Sequence, residues 1–147
     1  MPASHATHSQ RRGEWGVVLA GVVLMLAACR GQPAAAVRIV EPADGAALPG
    51  PSVRIVLETR GVPLAPAAEQ RPGTAHHHLF LDTDLTPPGD TIPAGVTGII
   101  HLGRAQTEFT FDSVAPGPHR VIAMLADAWH VPLKPLAVDT VRFTVGR

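Results

Sequence analysis

The apolar residues recur with period two in several stretches. Val53, Ile55 and Leu57 alternate with Arg54, Val56 and Glu58. Phe109 and Phe111 alternate with Glu108, Thr110 and Asp112, and Val141, Phe143 and Val145 with Arg142, Thr144 and Gly146. Successive side chains of a strand point to opposite faces, so this pattern predicts strands with one buried face. Residues 38–40, 77–82, 97–102 and 120–126 are further strand candidates, about seven in all. Turn chemistry separates them: Pro42-Ala43-Asp44-Gly45, Pro49-Gly50-Pro51, Pro72-Gly73, Pro87-Pro88-Gly89-Asp90 and Ala115-Pro116-Gly117-Pro118. No stretch after residue 36 keeps a long helical period free of Pro and Gly. The prediction for residues 37–147 is an all-β, antiparallel, immunoglobulin-like sandwich, with a small open barrel as the competing architecture. Two Pro-rich segments, 61–73 and 83–93, do not read as strands. Loops of that length in a compact domain are often functional; the alternative is a tolerated surface insertion.

The start of the chain follows a different pattern. A polar stretch with Arg11 and Arg12 precedes an apolar run, residues 15–28 (WGVVLAGVVLMLAA). As a helix this run spans about 21 Å, short of the ~30 Å hydrocarbon core of a membrane. A basic start, a short apolar run and small residues at its end are read as a cleaved signal peptide, residues 1–28. Leu26-Ala27-Ala28-Cys29 resembles the lipobox of bacterial lipoproteins. That resemblance implies cleavage before Cys29, lipidation of its thiol and anchoring to a membrane, with residues 29–36 as the tether. Arg30 is not the aspartate that retains such proteins at an inner membrane, so the outer membrane is favoured where a cell has one. The competing reading is an uncleaved anchor helix.

Composition narrows the possible functions. With 147 residues there is room for one domain. Lys+Arg and Asp+Glu number 12 each, so there is no basic excess of the kind that binds nucleic acid. Charged residues make up only 16% of the chain, which argues against extensive disorder. The single cysteine excludes an internal disulfide.

Six of the eight histidines follow the signal: His76, His77, His78, His101, His119 and His130. On a strand, His76 and His78 share one face and His77 takes the other. Two imidazoles so placed are a start for a zinc or copper site, with His101 or His130 as added ligands. Asp82 and Asp127 are candidate acceptors to orient an imidazole. No thiol competes, which disfavours a cysteine-type zinc site. In the alternative reading, buried histidines donate from one ring nitrogen and accept at the other, tying loops to strands without a metal. His119, after Pro118 at a strand start, fits that reading. Catalytic patterns are weak. There is no Gly-x-Ser-x-Gly elbow, Ser113 falls in a turn, and Asp82 and Asp84 read as loop acids. No phosphate-cradling loop precedes a helix, and the chain is read as a non-enzyme.

Several of these motifs occur together. They are Pro72-Gly73-Thr74-Ala75-His76-His77-His78-Leu79-Phe80-Leu81-Asp82, then His101-Leu102-Gly103-Arg104-Ala105-Gln106-Thr107-Glu108, then Gly117-Pro118-His119-Arg120 and Ala126-Asp127-Ala128-Trp129-His130-Val131-Pro132. With Pro42-Ala43-Asp44-Gly45-Ala46 they resemble the bacterial family catalogued as domain of unknown function 4399. The resemblance implies an exported or lipid-anchored β-sandwich, and it supplies no substrate. Members often carry a histidine two residues before the one matching His101, where this chain has Ile99. Another often follows the Val-Pro, where it has Leu133. A site built on those two imidazoles would be depleted here.

The expected function is a non-catalytic, lipid-anchored envelope domain. Its face around His76, His78, His101, His130 and Asp127 binds a ligand, with copper or zinc as candidate ions. The membrane is a partner through Cys29, and an envelope protein or small ligand is a further one. The alternative is a structural or interaction module whose histidines form an internal hydrogen-bond network.

Overall fold

Every stretch with two-residue alternation is a strand. The computed structural model describes residues 33–147. The segment read as a signal peptide, the lipobox with Cys29 and the first residues of the tether lie outside the described residues. The strands are β1 (Ala36–Glu41), β2 (Ala46–Leu48), β3 (Val53–Arg60), β4 (His76–Leu81), β5 (Ile99–Leu102), β6 (Glu108–Phe111), β7 (Gly117–Ala126) and β8 (Val138–Val145). A single 3-10 turn, Ala67–Glu69, is the only helical element among the described residues.

The strands form two separate sheets, of order β1-β3-β6 and β2-β8-β7-β4-β5, and not an open barrel. All pairings are antiparallel except β2 with β8, which is parallel. That eighth strand has three residues between two Pro/Gly turns, too few to show a period in sequence. Between the sheets lies the main core. Val37, Ile39, Val53, Ile55 and Leu57 come from one sheet; Leu79, Leu102, Val121, Ala123, Leu125, Val141, Phe143 and Val145 come from the other. Each fully buried aliphatic or aromatic side chain contributes about 1.5–3 kcal/mol.

The central strands β4 and β7 are buried on both faces. Their alternate residues Phe80, Ile122, Met124 and Ala126 point away from the main core into a second apolar cluster. Leu85 and Ile92 of the Pro-rich 83–93 segment pack into it. That segment is therefore a cover for the outer face of the five-stranded sheet, which explains why it carries apolar residues without strand period.

Candidate metal centre

The alternation that buries Leu79 in the main core sends Phe80, His78 and His76 to the outer face of β4. Cross-strand register adds the neighbours. His78 lies opposite His101 of β5 on one side and Met124 of β7 on the other. Phe80 lies opposite Ile99 and Ile122. The outer face is thus apolar at one end and imidazole-rich at the other.

His130 arrives from outside the sheet. The chain leaves β7 in a tight turn, closed by a hydrogen bond from Asp127 N–H to the Val131 carbonyl at 2.9 Å. Asp127 Oδ1 accepts from the N–H groups of Trp129 at 2.9 Å and Val131 at 3.0 Å. This holds His130 in the left-handed region, φ 65°, which a non-glycine residue adopts only under constraint. The His130 carbonyl accepts from Ile92 N–H at 2.8 Å, joining this turn to the 83–93 cover.

His76, His78, His101 and His130 converge. One ligand atom from each lies within 4.8 Å of every other. Nε2 of His76 is 3.0 Å from Nε2 of His78, and Nε2 of His130 is 3.2 Å from Nε2 of His101. His76 and His78 are buried, 1% and 2% exposed; His130 is half-buried and His101 exposed, so the group opens to solvent on one side. Burial, with the neighbouring imidazoles, pushes the His76 ring down to about 4 and the His78 ring to about 2. Burial and His130 also lower His101. His76 and His78 are therefore neutral near pH 7, the form that ligates metals.

The other two histidines behave differently. His77 is fully buried, and its Nδ1 donates to the Gln106 carbonyl at 2.9 Å. Its Nε2 meets the Thr59 hydroxyl of β3 at 2.6 Å, so the ring ties the two sheets together. Burial lowers its pKa, opposed by the bond to Gln106. His119 donates from Nδ1 to Asp82 at 2.6 Å and from Nε2 to the Ala115 carbonyl at 2.7 Å. Burial works against its charge, but these two acceptors outweigh burial and raise its pKa. Asp82 therefore does serve an imidazole, but that of His119 and not one of the converging four. Asp127, expected to orient an imidazole directly, spends Oδ1 on the backbone of the turn. A five-residue turn leaves N–H groups that need an acceptor, so its influence on His130 runs through the main chain.

Ile99 packs in the outer apolar cluster and Leu133 against the main core. The four converging histidines include neither of those places. Gly103 belongs to the motif that runs from His101 to Glu108. A Cβ there would run into the His101 imidazole, so a larger residue would push that ring aside. Its signal was a glycine two residues beyond a histidine at a strand end.

A model of the family described as Domain of unknown function (DUF4399) matches residues 55–146, a span that holds all four converging histidines. The chain belongs to this family. No curated protein matches the chain. Among solved structures, an engineered protein known from a crystal structure is similar over 80% of this chain, with 12% identity and a TM-score of 0.48; the chain spans 21% of that protein's length.

Proposed function

We propose that this member of the DUF4399 family is an exported, lipid-anchored envelope domain that binds one transition-metal ion through His76, His78, His101 and His130, without catalysis. The observation that carries this reading is the contrast among the histidines. His77 and His119 spend both ring nitrogens on oxygen partners. The other four pair Nε2 with Nε2, His76 with His78 and His101 with His130, and Nδ1 of both His76 and His78 is buried without a partner. Ligation through Nε2 leaves these two Nδ1 atoms unpaired as well, at about 1–3 kcal/mol each. A structural zinc site supplies on the order of 10 kcal/mol, ample to offset that. The second reading, a structural network, is favoured at His77 and His119 alone. Absence of catalysis is supported by the four-residue ligand set, since catalytic zinc sites commonly keep a position for water or substrate. The strand order, β2-β8-β7-β4-β5 in one sheet and β1-β3-β6 in the other, supports the finer reading of an immunoglobulin-like sandwich.

Metal-dependent thermal unfolding of the full-length protein in detergent tests the binding. An ion at a hundred times its Kd adds about 2.7 kcal/mol, which raises Tm by several degrees in a domain of this size. The rise is expected with Zn²⁺ or Cu²⁺ and is expected to vanish in His76→Ala/His78→Ala. Absence of any rise in the wild type overturns the reading. The anchor rests on Leu26-Ala27-Ala28-Cys29. Labelling with a radioactive fatty acid is expected to mark the wild type and not Cys29→Ser; an unlabelled wild type contradicts lipid anchoring.

A further inference from the structure

The four imidazoles do more than meet; their arrangement has a shape. The six ring-centroid separations are 4.9, 4.9, 4.9, 5.0, 5.7 and 4.6 Å. A metal–nitrogen bond of about 2.05 Å puts each ring centroid about 3.2 Å from the ion. Four rings at tetrahedral corners are then all about 5.2 Å apart. Four rings at the corners of a square give four separations of about 4.5 Å and two diagonals of about 6.4 Å. The observed set has no pair beyond 5.7 Å. The short nitrogen pairs, 3.0 and 3.2 Å, fall between the square edge of about 2.9 Å and the tetrahedral edge of about 3.3 Å, so the ring centroids carry the distinction.

From this geometry we infer that the site is a closed, tetrahedral four-histidine centre whose resident ion is zinc. The inference rests on the metal-binding reading and adds the ion and its coordination. Zn²⁺ has no geometric preference from its d electrons and settles into four-coordinate tetrahedral sites. Cu²⁺ prefers square or tetragonal nitrogen sets. The shape is also held in place. His76, His78 and His101 stand on hydrogen-bonded neighbours β4 and β5, and the Asp127 turn holds His130 above them. The bound ion thus joins a surface turn to the sheet as a staple.

Cobalt(II) is the probe, because its visible spectrum reports coordination number. Full-length protein in detergent is titrated with Co²⁺. The expected result is the intense visible absorption of four-coordinate cobalt at one equivalent, bleached by one equivalent of Zn²⁺. His130→Ala is expected to replace it with the weak bands of a higher-coordinate ion while the metal-free protein keeps its Tm. Bound Co²⁺ with only weak six-coordinate bands overturns the tetrahedral assignment and leaves metal binding standing. So does Cu²⁺ bound with the electron paramagnetic resonance splitting of a planar four-nitrogen site. Failure of both Co²⁺ and Zn²⁺ to bind on equilibrium dialysis overturns the metal-binding reading itself.

Discussion

At the scale of single residues, three consecutive histidines divide by strand parity. His77 faces the main core and finds two oxygens; His76 and His78 face outward and find only imidazoles. This parity was legible in sequence, because residues i and i+2 of a strand share a face. The partners of His77 were not. Thr59 lies eighteen positions back and Gln106 twenty-nine ahead, and they meet His77 only through sheet packing. Thr59→Val keeps the shape of the side chain and removes the hydroxyl. It is expected to lower unfolding stability by about 1–3 kcal/mol, because a buried ring nitrogen loses its partner, and to leave metal affinity unchanged. Urea denaturation with a metal titration checks both. Unchanged stability would show that the His77 bridge between sheets contributes nothing.

At the scale of elements, alternation made most strands readable, and the 83–93 cover stood out as a long Pro-rich segment. Its role as the lid of a second apolar cluster was not readable. Ile92 and Leu85 are too far apart to show a period, and they pack against strands distant in the chain. The same holds for the site. Which strand lies beside β4 decides whether His101 meets His78, and strand order is a property of the whole sheet. The Asp127 turn is the element on which His130 depends. Asp127→Ala removes the acceptor for two backbone N–H groups and frees a left-handed residue to relax. Support of this kind is worth 10–100-fold in metal affinity, and a loss in that range is expected while the strands persist by circular dichroism. An unchanged affinity would place the control of His130 elsewhere.

At the scale of the molecule, a sandwich with an ordinary core carries its chemistry on an outer sheet face, under a cover and a turn. The outer cluster has an apolar end of Phe80, Ile99 and Ile122 and an imidazole end of His76, His78, His101 and His130. The apolar end needs only packing to be stable. The imidazole end has two buried nitrogens without partners and two close Nε2 pairs, His76 with His78 and His101 with His130. The proposed ion would resolve that convergence. The most direct measurement is the zinc affinity and stoichiometry of the full-length protein, by competition with a chromophoric chelator, alongside each of the four single His→Ala variants and His119→Ala. One Zn²⁺ per chain is expected, with at least a tenfold loss for His76, His78, His101 and His130 and none for His119. Equal affinities in all five variants, or no zinc bound at all, would contradict a centre built on these four imidazoles.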